Sequence, residues 1–289
     1  MDKGWRPLSA RDSASDEYET LVGGVPPHLK SQLIAWIQYY YIGHVGGDSL
    51  PSVAHVKAIE LRLRRALDWG DQSNNYITAH QSLLAHLARD DEFLLDGIDL
   101  ALYDNKHRQG GGELESILAM GGSRYCVAPD KRGLTQRVPG ETQGVVEDLV
   151  AEGSRAGKLL GEAWRHVYGR HPNPGEGYHR AVNAIEIAAI PVVTPNDQKS
   201  TLGRVIGELR ANKRRFSTAF LEAEKGIDAV IDLMEVVWKS HHDRHGTPDE
   251  MAPISVSQAE AEAAVHAALL LVHWFRTNVI HSKAKGTSS

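Results

Sequence analysis

The sequence predicts a mainly α-helical protein: an N-terminal helical region with a small β-hairpin, followed by a helical bundle. Three observations lead there. Apolar residues recur at three- and four-residue spacing in most segments, as helices with one buried face require. The stretch around Pro129-Asp130-Lys131-Arg132-Gly133 reads instead as two short strands joined by a Gly-containing turn. Pro139-Gly140 then interrupts the pattern where the two helical regions meet. With 289 residues, 42% of them hydrophobic, the chain can bury two cores without staples.

Taken in order, residues 1–17 are polar and predict a loose arm. The first helical region spans 18–140. Leu29, Leu33, Ile34, Trp36, Ile37 and Tyr40 predict a helix over 29–41. Ser52 can cap a second helix running to Leu67. Further helices are expected over 75–87, 92–103 and 114–120, the last stopped by Gly121-Gly122. The hairpin is expected at about 123–138. The bundle spans 145–282. It opens with one long helix, 145–168, and Asn173-Pro174 caps the next, which Pro191 is expected to stop. Short helices follow over 201–209 and 227–238. The last starts after Ser257, where Glu260 three residues on completes a capping-box spacing.

Composition removes several function classes. The single Cys126 excludes an intramolecular disulfide framework and a multi-cysteine zinc site, and fits a reducing cytoplasm. The start, Met1 to Arg6, lacks the apolar core of a secretory signal. The greasiest stretch, 263–275, is interrupted by His266 and His273, so it reads as a buried helix and no membrane contact is expected. A net charge of −5 argues against indiscriminate nucleic-acid binding through overall charge. No phosphate loop, dinucleotide-binding glycine pattern or nucleophile elbow occurs.

Four constellations could carry chemistry. The segment Lys239-Ser240-His241-His242-Asp243-Arg244-His245-Gly246 packs groups that titrate near neutrality beside fixed cations, the requirement for acid–base work on a phosphodiester. The alternative is a solvated connection between two helices. Metal binding by its histidines would need His241 and His245 on one helix, and the segment reads as already past the helix end; no metal or other cofactor is expected. The run Lys213-Arg214-Arg215, near Arg204 and Arg210, could meet RNA phosphates or form a solvated face. Glu186 lies on the apolar helix 183–190, where a buried carboxylate needs a partner; a partner in the histidine segment would make it part of a site, and the alternative is solvent.

The order of these features is a helix, a helix with an internal Glu186, and a helix running into Asp243-Arg244-His245-Gly246. Val256-Ser257-Gln258-Ala259-Glu260-Ala261-Glu262-Ala263-Ala264-Val265-His266-Ala267-Ala268 then follows. Over about residues 148–281 this resembles the abortive-infection C-terminal domain of bacterial phage-defence proteins, a branch of the HEPN superfamily. The resemblance implies a four- or five-helix bundle, usually a homodimer, and metal-independent RNA cleavage in antiviral defence. It assigns His245 as general acid/base, Lys239 as phosphate contact and Glu186, His241 and His242 as supporting groups. Arg244 and the triplet Lys213, Arg214 and Arg215 become RNA-binding candidates. Where the family carries arginine before its histidine, this chain has Lys239. Arg276-Thr277-Asn278-Val279-Ile280-His281 repeats the spacing at the end of the last helix. Many HEPN domains bind RNA or protein without catalysis, so the alternative is a non-catalytic interaction or dimerisation module, or a phage accessory or structural protein.

Overall fold

Pro27 opens the first helix, because its fixed φ suits a first turn in which its missing N–H is no loss. The computed structural model describes residues 20–42, 53–69, 75–104, 110–219, 223–242 and 256–283, with backbone alone for 223 and 239–242. The expected arm at 1–17 and the Ser52 cap lie outside them. Among the described residues the protein is mainly α, with eleven α-helices and two short antiparallel ribbons. The chain divides into two compact units, Met1–Arg137 and Val138–Ser289.

In the first unit, α1 (Pro27–Ile37) continues as a π turn, Gln38–Ile42, and buries Leu29, Leu33, Trp36 and Ile37. α2 (Val53–Leu63) stops short of Leu67. The Glu60 carboxylate accepts from the Leu67 amide at 3.0 Å and the Trp69 indole at 3.1 Å, which draws the chain out of the helix while Leu67 stays buried. α3 (Tyr76–Arg89) is capped by Asn75, and α4 (Asp91–Asp104) buries eight of its residues. α5 (Gly111–Met120) precedes the hairpin of β1 (Tyr125–Val127) and β2 (Leu134–Gln136), with Cys126 opposite Thr135. Outward-facing strand amides need acceptors. Glu115 of α5 takes Val127 N–H at 2.8 Å, and Asp99 of α4 takes Leu134 N–H at 2.7 Å. Glu115 also holds Arg137 at 2.7 Å.

In the second unit the expected single helix over 145–168 is two: α6 (Gly140–Ala151) and α7 (Arg155–Tyr168). The apolar spacing runs on, but Gly153 adopts a left-handed φ of 72° and Ser154 caps α7 through the Gly157 amide. The resulting corner is tight, since a Cβ on Gly157 would lie 2.1 Å from the Leu149 carbonyl oxygen. α8 (Pro174–Val193) starts on the Asn173 cap as expected, but Pro191 lies inside it. Pro191 falls in the last turn, where Thr194 N–H still closes on the Ile190 carbonyl and buried Ile190 and Val193 hold the chain to the core. α9 (Leu202–Ala211) leads through a 3₁₀ turn, Lys213–Arg215, into β3 (Phe216–Thr218). α10 (Ala223–His242) and α11 (Gln258–Arg276) follow, and β4 (Ile280–Ser282) pairs back onto β3.

α8 is the spine of this unit, packed against α7 and α11. Its small residues Ala181, Ala184 and Ala189 are buried, and Gly177 admits Val167 and the Ala163 carbonyl at close range. α11 begins with the full capping box: Ser257 Oγ accepts Glu260 N–H, and the Glu260 carboxylate accepts Ser257 N–H at 2.8 Å. No described helix is long and apolar enough to cross a membrane.

Candidate functional site

Of the sequence candidates, Lys239, His241 and His242 lie in the last turn of α10, a helix that its neighbours brace just before them. Tyr178 of α8, 3% exposed, donates its hydroxyl to the Val237 carbonyl at 2.6 Å. Gly203 of α9 lies under the Trp238 ring, where a Cβ would sit 2.9 Å from the indole carbons. Arg210 of α9 pairs with Glu235. Tyr178→Phe is therefore expected to cost about 1 kcal/mol, the net worth of one such bond. Urea unfolding measures it, and an unchanged midpoint would show that the bond does not brace the helix.

The helix does not end at Trp238. Lys239, Ser240, His241 and His242 form its last turn, so half of the segment expected to be a connection has helical backbone. Apolar periodicity fades at Trp238, but nothing in these four residues breaks a helix, and the negative end of the helix dipole favours cationic residues there. Arg244, His245 and the rest of the segment lie outside the described residues.

Glu186 is half-buried, and its hydrogen-bond partner among the described residues is a backbone amide. Its Oε1 accepts the Leu202 amide at 2.7 Å, so it caps α9, whose own Thr201 makes no side-chain cap bond. Burial pushes its pKa up, opposed by the Leu202 hydrogen bond and by His179, seven residues earlier on α8. His179 Nε2 lies 3.1 Å from the Asn183 amide nitrogen, a polar stripe on α8 that apolar spacing did not expose.

The sign of the resulting pH dependence follows. A carboxyl whose folded pKa is raised binds its proton more tightly in the folded state. Its contribution is present below the ordinary glutamate value of about 4.3 and is lost as pH rises through the raised folded value. Glu186→Gln keeps an oxygen for Leu202 without the charge. The variant is expected to gain melting temperature relative to wild type between pH 4 and pH 7. A difference that stays flat with pH would disprove the assignment.

The basic triplet is compensated. Lys213 pairs with Asp228, Arg214 with Glu224 at 3.5 Å and Arg215 with Glu208, while Arg204 pairs with Asp197 at 3.1 Å. Each cation of this run, and Arg204 beside it, already faces a carboxylate. Arg276 and His281 also separate: Arg276 ends α11 against Glu152, whereas His281 lies on β4 opposite Ser217.

His266 and His273 share a face of α11, as their spacing implies, and line a shallow cleft of about 390 Å³ with Glu141, Thr142, Val145, Leu269 and Leu270. His266 is exposed, stacks on Trp164 at 6.1 Å and meets the Tyr168 hydroxyl at 2.8 Å. Burial, reinforced by Glu262, pushes the Tyr168 hydroxyl up to about 12. Among the described residues, no three His, Cys, Asp or Glu side chains are grouped to hold a metal. Compared with protein families, curated proteins and solved structures, the chain matches none of them.

Proposed function

We propose that the protein is an RNA-cleaving effector of phage defence, built like the abortive-infection C-terminal domains, with its chemistry where α10 ends. His245 is the general acid/base, Lys239 contacts the scissile phosphate, and His241 and His242 support them. The bracing of α10 at Val237 and Trp238, directly before Lys239, carries this reading. A fixed helix end holds catalytic groups within the narrow geometry that proton transfer requires. The ribose 2′-oxygen attacks phosphorus as its proton is removed, the bond to the 5′-oxygen breaks, and that oxygen takes up a proton. The products are a 2′,3′-cyclic phosphate and a 5′-hydroxyl. Glu186 is a scaffold carboxylate in this scheme, committed to α9. Purified protein incubated with total RNA in a metal chelator is expected to yield cyclic-phosphate ends. RNA that stays intact sinks the enzymatic form.

A second reading, a dimerisation or partner-binding module, is favoured by the cleft between α6 and α11, where Val145 and Leu270 are 39% and 40% exposed. Light scattering of wild type and Leu270→Glu separates them: a dimer lost in the variant favours the module.

A further inference from the structure

The first unit holds a second cationic cluster, in which one arginine is paired with a carboxylate and two exposed cations beside it are not. Tyr103, at the end of α4, is 48% exposed. The Arg132 guanidinium lies 4.8 Å from its ring centre and that of Arg62 lies 5.8 Å away. Arg62 is fixed by Asp104, whose carboxylate also accepts the Tyr41 hydroxyl at 2.7 Å. Among the described residues, Arg132 and its neighbour Lys131 have no carboxylate partner, and both are exposed.

The turn that carries them is held in place. Asp130 accepts the Arg132 amide at 3.0 Å, and Lys131 donates its amide to the Ala128 carbonyl at 2.8 Å. Lys131 has a left-handed φ of 61°. Glycine would adopt that conformation without strain, whereas a lysine there costs on the order of 1 kcal/mol. The chain thus keeps a cation at a strained position next to a guanidinium already ordered on an aromatic ring. An ordered guanidinium loses less side-chain freedom when an anion binds.

We propose that Lys131, Arg132, Arg62 and Tyr103 form a binding surface for single-stranded nucleic acid, separate from the α10 end and independent of any cleavage there. Lys131 and Arg132 take successive phosphates, and a base stacks on the guanidinium plane or the open part of the Tyr103 ring. Charge alone would also suit an acidic peptide. The half-exposed ring beside the guanidiniums favours the nucleic acid, because aspartate and glutamate side chains carry no aromatic face to stack there.

The test uses the full chain carrying His245→Ala, so that cleavage cannot obscure binding, and a fluorescein-labelled twelve-nucleotide oligouridine (on the order of one binding-surface length). Anisotropy is read from low to moderate salt. Lys131→Gln with Arg132→Gln is expected to weaken binding roughly tenfold and to lower the slope of log affinity against log salt by about 1.4. Tyr103→Leu is expected to weaken binding with the salt slope unchanged. Thermal unfolding of each variant confirms that these exposed changes leave the fold intact. Binding unaltered by the double substitution overturns the proposal, as does the absence of binding. Polyglutamate that displaces the oligouridine at equal charge concentration also overturns it, in favour of an acidic peptide. A protein that binds through Lys131 and Arg132 but cleaves nothing would fail the preceding proposal and leave this one standing.

Discussion

Trp164→Ala is expected to destabilise the second unit by about 3–5 kcal/mol, the range for removing a buried tryptophan. Trp164 is 1% exposed and among the largest fully buried side chains. Its ring contacts Tyr168 at 4.6 Å between centroids and underlies the exposed imidazole of His266. Leu160, Ala163 and Val167 of the same helix are already fully buried, so collapse can fill little of the space left behind. Such a loss is a large part of the roughly 5–15 kcal/mol that holds an ordinary domain folded. Chemical denaturation followed by circular dichroism measures it. Trp164→Phe, which keeps a stacking ring, is expected to lose less than half as much. A Trp164→Ala cost below about 1 kcal/mol would mean that this corner of the core is loosely packed.

The helices of both units were legible because one-sided burial imposes a period on the sequence, and Asn173 and Ser257 announce their starts by local chemistry. The break between α6 and α7 was present as Gly153-Ser154, a left-handed stop followed by a cap, but the apolar stripe continues across it and hid the turn. The β3–β4 ribbon has strands of three residues, too short for alternation to register, and its partners are brought together only by the packing of α10 and α11. Glu186 shows the same limit at the candidate site. The sequence left its carboxylate open between a partner in the histidine segment and solvent; its partner is a backbone amide of another helix, and an amide leaves no signature in residue identity. The compensation of Lys213, Arg214 and Arg215 depends on carboxylates from α9 and α10, which sequence order alone does not place beside them.

His245→Ala is expected to lower RNA cleavage by about 10²–10⁴-fold, the usual contribution of a general acid/base, with folding stability changed by less than about 0.5 kcal/mol. The two readouts must separate, because a scaffold histidine would move stability and assembly together with activity. Lys239→Arg supplies a sharper criterion. Lysine neutralises a phosphate as a point charge, whereas arginine's planar fork orients it through two parallel hydrogen bonds. If Lys239 contacts the scissile phosphate, the arginine variant is expected to cleave faster than wild type and Lys239→Ala slower, each with the pH profile of wild type. His245→Gln should instead flatten the limb of that profile near neutrality, since it removes the titrating group. Cleavage insensitive to both positions would move the chemistry away from the end of α10. Cleavage sensitive to His245 but not Lys239 would leave the phosphate to another cation, and Arg244, adjacent to His245 in sequence, would be the next residue to replace.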